Sequence, residues 1–376
     1  MEAGELYIGV MSGTSLDGVD TVLVRFDQNK LTLLAESFYP VPEQLKQALL
    51  DIVIGQETTL KTIGELDHCL GHLYADAIKQ LLDQSGYQAQ QIKAIGNHGQ
   101  TVFHQPDGTA PFTMQLGDAN IIASKTGITT VADFRRKDMA YGGQGAPLVP
   151  AFHQSIFQAN HSSVVVLNIG GIANISVLRP NIATIGYDTG PGNMLLDSWI
   201  AEQRSQPFDL NAEFALSGTV NKGLLALLLQ DDFFSKPAPK STGRERFNHS
   251  WLNNKLAEYG QKLAAEDVQA TLVELTVITI SDEVRQYSNG TSPELLVCGG
   301  GANNPLIMAR LNQLLTGWTV ATTDERGISS DYMEAIAFAW LAKQRIHNLP
   351  SNLPQVTGAT RLVSLGVIYP ADTEEV

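Results

Sequence analysis

Between the apolar runs Leu6 to Met11 and Val19 to Phe26 lies Ser12-Gly13-Thr14-Ser15-Leu16-Asp17-Gly18, a turn of small and hydroxyl-bearing residues with Asp17 inside it and Asp20 just beyond. A second turn, Gly170-Gly171, joins Ser163 to Ile169 with Asn174 to Leu178. Turns that lack Cβ atoms let backbone N–H groups approach an oxyanion, so two of them can clamp a polyphosphate. Either turn alone is equally an ordinary hairpin connection. The pair, with Asp17 and Asp20 beside one turn and Asp188 near the other, points to phosphate chemistry.

The charge balance makes such local donors necessary. The 376 residues hold 25 Lys and Arg against 39 Asp and Glu, a formal net charge of −14. That field opposes nucleic-acid backbones and anionic membranes, so neither is an expected partner. Gly13 to Gly18 has the glycine spacing of a P-loop, but Val19-Asp20 replaces Lys-Ser/Thr and a strand pattern follows where a helix is required. No dinucleotide-binding G-x-G-x-x-G, hydrolase elbow or paired-cysteine zinc motif occurs. The only cysteines are Cys69 and Cys298, and neither a secretory leader nor a membrane-spanning run is legible, so a cytoplasmic location is expected.

The surrounding pattern supplies the scaffold. With 43% hydrophobic and 17% charged residues the chain is globular, and its length calls for two sizeable lobes. The first glycine turn connects a β-hairpin over residues 6–26. Helices follow at about 43–54 and 60–84, the second carrying Leu66, Leu70, Leu73, Ala77 and Leu81 at helical spacing. Ile92 to Asn97 reads as a buried strand. The glycine- and proline-bearing crossing Tyr141 to Pro147 is the expected domain boundary. Beyond it the strand, glycine turn, strand unit recurs, followed by a polar excursion at Lys236 to Phe247, a helix near 266–287, the strand Glu294 to Cys298 and a helix from about Asp331 to Ile346.

Gly9-Val10-Met11-Ser12-Gly13-Thr14-Ser15-Leu16-Asp17-Gly18-Val19-Asp20 resembles the signature of the anhydro-N-acetylmuramic acid kinase family, a branch of the actin, hexokinase and heat-shock-chaperone ATPase superfamily. Further blocks resemble that family in its own order: Gly96 to Thr101, Ala132 to Arg135, Leu167 to Asn174, Asp188 to Asn193, Lys240 to Glu245 and Cys298 to Asn304. The resemblance covers nearly the whole chain.

It implies an α/β fold of two actin-like lobes, each a mixed β-sheet with flanking helices, and ATP in the cleft between them. The expected lobes are 1–140 joined by 345–376, and 141–344. The implied reaction takes 1,6-anhydro-N-acetylmuramic acid, water and ATP to N-acetylmuramic acid 6-phosphate and ADP, in cell-wall recycling. Asp188 is the implied catalytic base, although an Asx turn or helix cap would use the same residue. Gly13, Thr14, Ser15, Leu16, Asp17, Gly18, Val19 and Asp20 form the implied first phosphate clamp, with Asp17 or Asp20 orienting the waters of Mg²⁺. Gly170, Gly171 and Asn174 form the second clamp, and Gly299, Gly300, Gly301 and Asn303 the adenosine loop. The sugar's hydroxyls, acetamido group and lactyl carboxylate call for polar loops and a cation, for which His98, Gln100, Thr101, Arg135 and Glu334 are the candidates. Arg135-Arg136-Lys137 also reads as a solvated basic patch, and Asp331-x-x-Glu334 as a capping box. The family further implies a homodimer.

Two alternatives are a kinase of the same superfamily acting on another sugar, and a nucleotide-gated binding protein. His68, Cys69 and His72 have helical ligand spacing but no third ligand in reach, and read as a helix flank. Lys236 to Arg246 reads as a loop near the cleft, since it lacks the aromatic interleaving of an RNA-binding segment.

Overall fold

The computed structural model describes residues 4–13, 16–27 and 30–372. They form two compact units, Met1–Ile156 with Tyr332–Val376, and Phe157–Asp331.

In the first unit, β1 (Glu5–Met11) turns back antiparallel into β2 (Gly18–Asp27), which continues antiparallel into β3 (Lys30–Pro40). β4 (Ile92–Asn97) lies parallel to β1 on its other side, because the connection includes the helix Leu60–Ser85 and so can return the chain in the same direction. That helix begins at Thr59, whose side chain accepts the Thr62 N–H, and stops at Gly86, with φ +74°. Leu66, Leu70, Leu73, Ala77 and Leu81 all face the core. β5 (Gln100–Gln105) and β6 (Phe112–Leu116) make a separate hairpin. β7 (Thr130–Ala132) adds parallel to β4, and β13 (Val367–Tyr369) closes the edge antiparallel.

The second unit repeats this plan. β8 (Val164–Ile169), β9 (Ile172–Arg179) and β10 (Ile182–Pro191) form an antiparallel meander, β11 (Glu294–Cys298) lies parallel to β8, and β12 (Thr319–Thr322) parallel to β11. The order β10-β9-β8-β11-β12 therefore matches β3-β2-β1-β4-β7 strand for strand. The sequence repeat is thus the first hairpin of a duplicated five-stranded mixed sheet, the α/β layout that the actin-like resemblance implies.

The helix Met333–Ile346 is apolar from Met333 to Ala342 apart from Glu334, and that stretch is nearly all buried. It lies so close to the first sheet that a Cβ on Gly9 would run into the Ala335 carbonyl, and one on Gly96 into that of Phe338. These glycines are there for close approach of a backbone. The units divide after Ile156 and before Tyr332, whereas the sequence placed the divisions after 140 and 344. The reason is packing: Phe152, in the helix Val149–Ile156, packs its ring at a tilt 5.9 Å from that of Trp340. The glycine-rich crossing is also bound within the first unit, since Gln144 N–H donates to the Thr357 carbonyl at 2.7 Å and Gly145 N–H to Asp138 Oδ2 at 2.9 Å. Among the described residues, no helix is long and apolar enough to cross a membrane.

Candidate active site

Asp188 sits near the end of β10, where the strand has an irregular register before Gly190. Its backbone N–H donates to the Lys240 carbonyl at 3.0 Å, and its carboxylate oxygen Oδ2 accepts from Thr242 N–H at 2.9 Å and Ser241 O–H at 3.2 Å. Burial pushes the carboxyl up to about 6, assisted by the charge of Glu245, while the two hydrogen bonds pull it down. The result is a carboxylate ionised at neutral pH and basic enough to accept a proton there. This environment departs from the Asx-turn alternative, in which the carboxylate serves nearby backbone: its partners are 53 and 54 residues away in sequence.

Asp188 is directly paired with Asn174 of β9, and Asn174 with Asn168 of β8. Paired residues on adjacent strands project to one face, so the three make a polar row across the sheet. The Gly170-Gly171 turn lies at the end of the same strands and is tied down by Asn193 N–H to the Gly170 carbonyl at 2.8 Å and Gly192 N–H to the Gly171 carbonyl at 2.9 Å. A Cβ at Gly170 would approach only the Ile172 carbonyl, at 3.7 Å, and one at Gly300 only the Asn193 side chain, at 3.6 Å. Nothing in the packing demands glycine at either place, which is what a backbone kept accessible to a ligand requires. Gly301 and Gly299 differ, for a Cβ there would strike the Ile169 side chain and Asn168 respectively. Asn303 donates from its side-chain amide to Asp331 at 2.8 Å.

In the first unit, Thr14 and Ser15 of the expected clamp lie outside the described residues. Leu16 and Val19 are fully buried, so any contact they make with a nucleotide is through backbone. Leu16 is held at φ +55°, a conformation costing about 1–2 kcal/mol that its buried side chain offsets. A Cβ on Gly18 would collide with the Phe38 ring, a packing reason for that glycine. Asp17 is exposed, whereas Asp20 is half-buried in β2 opposite Met11.

The sugar-site candidates divide into two groups. Arg135 donates to the Gly145 carbonyl at 2.8 Å and to His98 Nε2 at 2.9 Å. A guanidinium only donates, so His98 Nε2 is an acceptor and the ring is neutral with its proton on Nδ1. Burial and the Arg135 charge hold His98 well below its ordinary value. Burial also lowers Arg135 to about 10, opposed by the charge of Glu334, whose own carboxyl burial raises and Arg135 lowers. His98, Arg135 and Glu334 are thus one electrostatic group. The solvated-patch alternative holds for Arg136, which is exposed although paired with Asp133 at 2.7 Å, but not for Arg135, which is engaged by His98 and Gly145; Lys137 donates to the Ser364 carbonyl at 2.7 Å. Nor is the capping box, since the helix starts at Met333 with Tyr332 at the cap and no side-chain cap bond. Gln100 and Thr101 are committed to structure. Gln100 accepts the Ser12 hydroxyl at 2.8 Å, bracing the glycine turn, and the Thr101 hydroxyl accepts from Gln115 at 3.1 Å.

The sequence reading missed Ser241, Thr242 and Asn168 as partners of the site. Their only signal was membership of the motif blocks. No group of three or more His, Cys, Asp or Glu side chains that could hold a metal ion occurs among the described residues.

Two copies of one mixed sheet, each with a glycine turn after its first strand, make up the duplicated α/β fold of the actin-like class. The model of the anhydro-N-acetylmuramic acid kinase family matches residues 5–371, and the chain belongs to that family. The anhydro-N-acetylmuramic acid kinase of Vibrio vulnificus (strain YJ016) is 64% identical over 370 residues, covering 98% of this chain and 100% of the relative. That of Vibrio cholerae serotype O1 is 63% identical over 372 residues, covering 99% and 100%. Among solved structures, a ROK family glucokinase from Streptomyces griseus in complex with glucose and AMPPNP is 14% identical, with a TM-score of 0.39 over 90% of this chain and 99% of that one.

Proposed function

We propose that this chain is an ATP-dependent kinase that converts 1,6-anhydro-N-acetylmuramic acid and water to N-acetylmuramic acid 6-phosphate in cell-wall recycling, with Asp188 as the catalytic base. The observation that carries the mechanism is the Asp188 carboxylate, fixed through Oδ2 and held by burial at about 6. In the proposed reaction Asp188 takes a proton from water as the water oxygen bonds to the anomeric carbon. The bond from that carbon to O6 breaks, O6 bonds to the γ-phosphorus of ATP, and ADP departs. Asp188 returns its proton to solvent, so one water is consumed and one proton released. A positioned base is worth about 10²–10⁴-fold in rate.

The proposed phosphate clamps are the Gly13 to Asp20 turn and Gly170, Gly171 and Asn174, with Gly299, Gly300, Gly301 and Asn303 taking the adenosine. Accessible backbone at Gly170 and Gly300 supports this. Asp17 or Asp20 is proposed to orient the waters of Mg²⁺, a cation that keeps most of its waters; when bound, it would neutralise developing charge on the transferred group. Arg135, steadied by His98 and Gly145, is proposed to take the sugar's lactyl carboxylate, with Glu334 beside it. Gln100 and Thr101 act indirectly, by holding the turn and hairpin next to them. A cytoplasmic location and a homodimer belong to the same reading and rest on the family resemblance.

The test is mass spectrometry of the product formed from anhydro sugar and ATP in ¹⁸O-water. One ¹⁸O at the anomeric position and one phosphoryl group on the same molecule are expected. Phosphorylation with the anhydro ring intact, or efficient turnover of ordinary hexoses with the anhydro sugar inert, would defeat the proposal.

A further inference from the structure

The segment that holds Asp188 is itself anchored by a buried ion pair. Lys240 Nζ lies 2.6 Å from Glu283 Oε1, with side chains only 3% and 11% exposed. Lys240 also donates to the Phe234 carbonyl at 3.2 Å and packs 5.0 Å from the Phe233 ring centre. The other oxygen of Glu283 accepts from the Tyr187 hydroxyl at 2.9 Å, and that hydroxyl is 2.7 Å from the hydroxyl of Tyr287. Glu283, on the helix Ala265–Arg285, therefore grips Asp188 from two sides. One grip is Tyr187, the preceding residue. The other is Lys240, whose carbonyl receives the Asp188 N–H and which leads directly into Ser241 and Thr242.

Such a pair is a poor source of stability, because the cost of desolvating two charges largely cancels their attraction. What it supplies is a single, directional arrangement. We propose that Lys240 and Glu283 are positioning residues for the reaction, locking the 240–242 segment so that its two donors occupy Oδ2 of Asp188 and the proton is taken at Oδ1. This rests on Asp188 being the base.

The groups that act on the Asp188 carboxyl directly are Thr242, Ser241 and Glu245 on the loop, and packed behind them are Lys240, Tyr187, Glu283 and Tyr287, with Arg179 5.3 Å from the Tyr287 ring centre. The variants are Lys240→Met, Glu283→Gln, the two combined, Ser241→Ala and Asp188→Asn, each measured for kcat, both KM values, the pH profile of kcat/KM, and Tm. Each pair variant should lower kcat about 10–100-fold, the scale of a misplaced catalytic group, with KM for ATP changed less than about threefold. The acid limb should move to higher pH, since the weakened hydrogen bonds are those that favour the ionised carboxylate. The double variant should be no worse than the worse single one, because the two charges act as a unit. Ser241→Ala, which leaves the buried pair intact, should move the acid limb the same way by less.

A lowered Tm with kcat and the acid limb unmoved overturns the proposal. If the single pair variants do not fold, an unmoved acid limb in Ser241→Ala overturns it instead. Near-normal turnover by Asp188→Asn removes the base assignment and this proposal with it, whereas an inactive Asp188→Asn beside fully active pair variants overturns the positioning role alone.

Discussion

Asp188→Asn keeps the shape of the side chain and its acceptor oxygen for Thr242 and Ser241 while removing the charge. In the unfolded chain the carboxyl ionises near 3.8, and in the folded chain at about 6. At 1.36 kcal/mol for each tenfold change, ionisation costs the folded state about 3 kcal/mol once the pH exceeds 6. The sign follows from proton binding. Between pH 4 and 6 the folded protein holds a proton that the unfolded chain has lost, so wild-type stability falls across this window and then levels. Asparagine does not ionise. The variant should therefore be more stable than wild type by about 2–3 kcal/mol at pH 8, with the difference vanishing near pH 4, while kcat falls by about 10²–10⁴. Urea unfolding from pH 4 to 8 reads the first effect, and ADP release the second. Against a typical total stability of about 5–15 kcal/mol the gain is easily resolved. A variant less stable than wild type at pH 8, or a difference that does not change with pH, would refute the burial argument.

Wild-type kcat/KM should itself fall below about pH 6 as Asp188 takes up a proton, with the acid limb read from a pH series at fixed ionic strength. Gly170→Ala and Gly300→Ala should fold normally and raise KM for ATP, whereas Gly96→Ala, whose new methyl would meet the Phe338 carbonyl, should lower Tm sharply; equal thermal shifts in all three would refute the distinction between ligand and packing glycines. Arg135→Lys should raise KM for the anhydro sugar about tenfold without changing KM for ATP, because one ammonium cannot replace a fork bonded to both His98 and the Gly145 carbonyl. An analogue lacking the lactyl carboxylate should show no such penalty.

The amino-acid sequence by itself determined the elements and the chemical vocabulary. The spacing of Leu66, Leu70, Leu73, Ala77 and Leu81 gives a helix that buries that stripe, and Glu294 to Cys298 forms the strand its apolar run predicts. Both signals are local, arising from the geometry of a few turns of backbone, and so are legible along the chain. The motif blocks likewise carried the family and Asp188. Tertiary structure decided whatever depends on approach between distant segments. Gly9 and Gly96 matter because the helix Met333–Ile346 crosses them, and the 141–147 crossing stays in the first unit because Asp138 and Thr357 bind it. Whether Glu334 belongs to a helix cap could not be read along the chain; in the fold the helix has no side-chain cap and Glu334 feels the Arg135 charge instead. The setting of Asp188 comes from Ser241, Thr242, Lys240 and Glu283, none of them near it in sequence. Hydrogen bonds and desolvation depend on distance in space, and periodicity along the chain carries no record of which remote residues will supply them.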